Sequence, residues 1–142
     1  IDPLPGVHER FAALAEAIEG EGGDDARRDY IDALFLPDDD GGARQHTLDV
    51  TCAVPAHAAA AILRGVVEWD GVAALRGCRA PVLEVRSVPT GSNAPDRLLA
   101  LKPEIEIGVT VGSGHFNQLV LPAQVNAMIE RFVSTRVGTS TA

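Results

Sequence analysis

The sequence predicts an α/β chain in which a helical stretch is followed by the β-α-β-α end of a mostly parallel sheet. Three observations predict it. Before about residue 78 the apolar residues recur at helical spacing. Beyond Arg79, two short β-branched runs, PVLEVR (Pro81–Arg86) and EIEIGVTV (Glu104–Val111), alternate with helix-length segments. Over 142 residues, 46% hydrophobic and 23% charged composition is globular and sufficient to bury a core.

In order, Phe11, Leu14, Ala15 and Ile18 form one helical stripe, and the glycine run Gly20–Gly23 ends that helix. Asp24 or Asp25 is placed to cap a second helix, on which Tyr30, Ile31, Leu34 and Phe35 share a face. Pro37 to Gly42 reads as a solvated turn. Its three adjacent carboxylates lack the oxygen-ligand alternation and closing Glu of a calcium loop. A helix is expected over roughly 43–53. Another has Pro55 in its first turn and Ala58, Ala59, Ile62, Leu63, Val66 and Val67 on its buried side. Asp70 starts a short helix through Leu75. After PVLEVR, a helix over Asn93–Leu101 carries Pro95 in its first turn. EIEIGVTV alternates like a strand until Gly112, and Pro122–Val133 is the last helix, with Val125, Met128, Ile129 and Phe132 on one face. Residues 137–142 are small and polar and read as a frayed tail.

This order implies two parallel strands joined by a right-handed crossover. Two strands do not make a stable parallel sheet, which needs more strands and cover on both faces. Other strands are expected to complete it.

A formal net charge of −8 opposes binding to nucleic acid and anionic membranes, and favours solubility. No run approaches the length of about 18 apolar residues that a membrane span needs. Cys52 and Cys78 are far apart, without C-x-x-C spacing or paired histidines, so neither zinc nor a disulfide framework is indicated. With no signal peptide visible, the cytoplasm is the expected compartment. The sequence opens Ile1-Asp2-Pro3 without Met, so the natural start and any targeting segment are expected to lie outside it.

The residue that points to chemistry is His115, directly after the second strand in Gly112-Ser113-Gly114-His115-Phe116. Sites of open α/β sheets lie at the carboxyl ends of strands, and glycines there let the backbone present the imidazole. A histidine so placed titrates near neutrality and serves as a general base.

With PVLEVR, EIEIGVTV, G-S-G-H-F and the proline-started helix PAQVNAMIERFV, the chain resembles the C-terminal half of the α/β-hydrolase superfamily. The resemblance makes His115 the histidine of a catalytic triad. It divides the chain into the end of a sixth core strand (1–4), a helical cap (5–78), the C-terminal part of the core (79–136) and the tail. The family's order is nucleophile, acid, histidine, with a serine in G-x-S-x-G. No such elbow exists here: Ser113 has Val111 and His115 in the two glycine positions, and Ser140 has Gly138 in the first but Ala142 in the second. The nucleophile and oxyanion amides are therefore expected upstream, within roughly 130 preceding residues. After PVLEVR, where the acid usually follows, Ser87–Asn93 holds no carboxylate. Some members, including zearalenone-type lactone hydrolases, carry the acid after the sixth strand, which corresponds to Asp2. Asp96 is the alternative, although in a first turn it also suits the helix dipole.

Trp69, Phe35, Tyr30 and Phe116 are candidates for an apolar pocket under the cap, or for plain core. His8, His46 and His57 carry no such context. The family implies hydrolysis of a small-molecule ester, lactone or related carbonyl substrate, with no cofactor or metal, the cap excluding water and selecting substrate. The partner implied is the N-terminal half of the core, in the same precursor or as a separate chain. Two other readings stay open. One keeps the fold for carbon–carbon hydrolysis, dehalogenation or epoxide opening; the other is a non-catalytic sensor or interaction protein.

Overall fold

A computed structural model describes residues 6–87 and 95–136. The helical part runs α1 (Val7–Glu19), α2 (Gly23–Asp32), α3 (Gly41–Cys52), α4 (Ala56–Glu68) and α5 (Gly71–Gly77). Then follow β1 (Leu83–Arg86), α6 (Pro95–Leu101), β2 (Glu106–Val109), α7 (Asn117–Val120) and α8 (Pro122–Arg136).

Helix α1 buries Ala15 and Ile18 of the expected stripe and also Val7, while Phe11 and Leu14 are half-buried. It packs on α4. Ala15 and Ala60 are both fully buried, which lets two backbones come close, and Arg64 pairs with Glu19 across the helices. The buried side of α4 is narrower than expected. Leu63 and Val67 are half-buried, whereas Ile62 is 64% exposed and Val66 45%. Each residue advances about 100° around a helix, so a six-residue apolar stripe is wider than one neighbour covers.

The cap of α2 also differs from expectation. Gly22, in the left-handed region at φ 79°, precedes the helix, and neither Asp24 nor Asp25 caps it. A Cβ on Gly23 would lie 2.0 Å from the Ile18 carbonyl oxygen, so the helix enters too close to α1 for a side chain. Asp24 instead pairs with Arg27 at 2.8 Å. Arg27 is buried and donates to the Val54 carbonyl, fastening α2 to the end of α3. Ile31, Phe35 and Leu48 form the core between these helices. Asp40 and Asp70 cap α3 and α5, accepting from the Ala43 and Ala73 amides.

The two strands are parallel, with Leu83 opposite Glu106 and Arg86 opposite Val109. Among the described residues each strand's other edge has no strand partner. The ladder runs past the assigned strand: the Glu106 amide donates to Val82 and the Thr110 amide to Arg86. Gly108 faces α8, where a Cβ would come within 3.0 Å of Met128 Sδ. Val125 of α8 is buried, but Ile129, expected on the same face, is 44% exposed. The one-turn helix α7 carries no periodicity that a sequence reading detects. No single described helix is long and apolar enough to cross a membrane.

Candidate active site

The site begins where β2 ends. Thr110 is fully buried, and its hydroxyl lies 3.2 Å from the Arg86 carbonyl oxygen and 3.3 Å from Ser113 Oγ. Asn117 Nδ2 donates to the same hydroxyl at 3.3 Å. These contacts draw residues 110–117 into a tight loop, and Gly112 turns it at φ 88°, a conformation that side chains disfavour.

The loop then presses against the α2–α3 corner. The His115 amide donates to the Leu34 carbonyl at 2.8 Å. The Gly114 amide donates to the Asp39 carboxylate, 3.0 Å from Oδ2 and 3.2 Å from Oδ1. Oδ2 also accepts the Leu36 amide at 2.8 Å. Gly114 permits this approach: a Cβ there would sit 2.5 Å from Leu34 O. Arg44 holds the corner from behind, donating to Leu36 O at 2.7 Å and to Asp32 at 3.0 Å while lying over the Phe35 ring.

His115 itself is exposed. Its ring stands edge-on to Phe116, centroids 5.1 Å apart, and Phe116 packs on Phe35 at 4.8 Å. Among the described residues none hydrogen-bonds the imidazole. Asp96 is an exposed first-turn residue of α6 and does not bond it. Asp2 lies outside the described residues. Ser113, the serine nearest the histidine in sequence, is fully buried and held by Thr110, so its hydroxyl is not offered to a substrate.

Of the four aromatic candidates, the structure brings three together. Phe35 is buried, and Tyr30 and Phe116 pack on the same core cluster. Burial pushes the Tyr30 phenol above its ordinary range, so it stays neutral near physiological pH. Trp69 is 66% exposed and does not join that cluster. A cavity of about 210 Å³ lies between Arg79, Pro81, Lys102, Glu106 and Arg136. It is at the amino ends of the strands, opposite His115, and so away from where such sheets place chemistry. Among the described residues no group of three or more His, Cys, Asp or Glu side chains is arranged to hold a metal.

Sequence reasoning missed Asp39. The acidic turn read as solvated, yet Asp39 is 7% exposed and committed to two amides. One of its partners is 75 residues away, so no local pattern announces it.

Two solved structures are similar to this chain. A thermophilic esterase from Thermogutta terrifontis, with malate bound, superposes with a TM-score of 0.74 at 19% identity over 93% of this chain and 51% of that one. A provisionally named aryl esterase from Burkholderia cenocepacia superposes with a TM-score of 0.69 at 19% identity, over 95% and 49%. The chain thus spans about half the length of the structures it matches. At that identity the likeness shows a shared esterase-type α/β fold. No protein-family model and no curated protein sequence matches the chain.

Proposed function

We propose that this chain supplies the catalytic histidine and helical cap of an α/β-hydrolase that cleaves an ester, lactone or related carbonyl substrate. The observation that carries the reading is the placement of His115. An exposed imidazole stands at the carboxyl end of a parallel strand, on a loop clamped to the helices, in a fold shared with two esterases.

In this reading a serine outside the chain attacks the carbonyl carbon, and His115 takes the hydroxyl proton as the tetrahedral intermediate forms. The imidazolium gives that proton to the departing alkoxide. It then deprotonates the water that hydrolyses the acyl-enzyme. Backbone amides outside the chain hold the oxyanion, and Asp2 orients the imidazole. The N-terminal half of the core, in the same polypeptide or another, completes the sheet. Support for that partner comes from the strand edges and from the doubled length of the similar structures.

The test uses the native protein that carries this chain together with its partner half. A fluorophosphonate probe should label a serine in that half and abolish hydrolysis of a p-nitrophenyl acyl ester. His115→Ala should slow turnover on the order of 10³-fold or more. A folded, complete protein that neither labels nor turns over acyl esters would defeat the proposal.

A further inference from the structure

We infer that Asp39 is a positioning residue for His115: its carboxylate clamps the α2–α3 corner to the histidine loop and so sets where the imidazole sits. The inference rests on the hydrolase reading. The mechanism gives Asp39 no part, and its neighbours Asp38 and Asp40 are exposed.

Burying an ionised carboxylate is costly unless it is fully hydrogen-bonded. Asp39 is buried, and its carboxylate accepts from two backbone amides, Leu36 from the corner and Gly114 from the loop. Hydrogen bonds from amides to a carboxylate are charge-assisted and directional, hence geometrically demanding. The same corner takes the next amide too, His115 N–H to Leu34 O. Two successive amides, at 114 and 115, therefore fix the peptide planes on which the imidazole is mounted. The ring's packing surface comes from the same place, since it stands on Phe116 and Phe116 rests on Phe35. The amide bonds of residues 114 and 115 and the Phe35 ring under Phe116 thus all lead back to residues 34–39. Within that set, Asp39 holds both sides with one oxygen.

A base displaced by about an ångström can lose on the order of 10²-fold in rate. Position, not charge, is what Asp39 provides, and three substitutions separate the two in the complete protein. Asp39→Asn keeps one oxygen where Oδ2 now accepts both amides, and should keep kcat within about fivefold of wild type. Asp39→Glu keeps the charge but moves the carboxylate by one carbon–carbon bond, and should lower kcat about tenfold. Asp39→Ala removes the clamp and should lower kcat between about 10- and 100-fold. KM should move less than about threefold in each, and rates are counted per fluorophosphonate-titrated site, which removes any unfolded fraction. An Ile18→Ala control, destabilised far along α1, should keep the wild-type rate per titrated site.

If Asp39→Glu or Asp39→Ala turns over at the wild-type rate per site, the inference is overturned. If Asp39→Ala does not fold, Asp39→Glu against Asp39→Asn decides it alone. Loss of kcat in Asn equal to that in Glu overturns it as well. Absence of labelling in wild type is a different failure: it removes the hydrolase reading and, with it, this role.

Discussion

Replacing Gly114 with alanine tests the close contact between the histidine loop and the helices. The added Cβ would lie 2.5 Å from Leu34 O, 2.8 Å from Asp39 Oδ2 and 2.9 Å from Leu36 N. Two of those atoms are backbone, so no side-chain rotation relieves the overlap. Overpacking of this kind costs about 1–3 kcal/mol. The loop must also retreat, and the amides of Gly114 and His115 then lose Asp39 and Leu34 as partners. Those losses add about 1 kcal/mol for the neutral bond and about 2 for the charged one. Against this, alanine restricts the unfolded chain and returns about 0.4–1 kcal/mol. The net expectation is a destabilisation of roughly 3–6 kcal/mol, with a fall in kcat near 100-fold. Urea unfolding followed by fluorescence measures the first, and acyl-ester turnover per titrated site the second. A Gly114→Ala protein within about 0.5 kcal/mol of wild type would refute the packing argument, because surface-like substitutions fall in that range.

Three further outcomes are expected. Asp40→Ala removes the oxygen that accepts the Ala43 amide at the start of α3, and should cost about 1 kcal/mol in urea unfolding. Ile18→Ala empties a site that is 4% exposed and should cost about 2–5 kcal/mol, read as a lower thermal midpoint. The third concerns acid. The hydrogen bond from Arg64, reinforced by its charge, holds the Glu19 carboxyl below its ordinary value of 4.5. Glu19 therefore contributes stability that is fully present above that value and is lost as pH falls through the lowered one. Arg64→Gln should remove this component, flattening the fall of the urea midpoint between about pH 5 and pH 3. An equally steep fall in the variant would assign the acid sensitivity to other carboxylates.

The elements most legible in the sequence were those whose signals are local. Periodicity found α1, α2, α4 and α8, and β-branched runs found both strands, because burial of one face or both is written into adjacent residues. Where the outcome depended on distant neighbours, the reading fell short. Ile62 and Ile129 are apolar and correctly spaced, but which flank of a stripe is covered depends on where the next helix lies. Gly22 and Gly23 read as a stop; in the structure they start α2 against Ile18. At the site, the glycines pointed to His115, since their spacing and the end of an alternating run are visible in five letters. Asp39 was not visible, because its meaning depends on an amide in another part of the chain. Asp2, the expected acid, lies outside the described residues.

Under the hydrolase reading, the helical region is more than a cover. Separating the α2–α3 corner from the histidine loop breaks the His115–Leu34 bond, the Gly114–Asp39 bond and the Phe35–Phe116 contact. At about 1, 2 and 1 kcal/mol, these hold the separated state to roughly one molecule in a thousand. Such an opening would also carry away the support of the imidazole. A motion that admits substrate and leaves the base in place must therefore involve other helices. Helix α4 fits that requirement: it packs on α1, and no described hydrogen bond joins it to residues 110–117. The exposed Ile62, Val66 and Trp69 on or beside α4 give that helix an apolar surface that α1 does not cover. The corner that carries Asp39 is then the fixed point of the region.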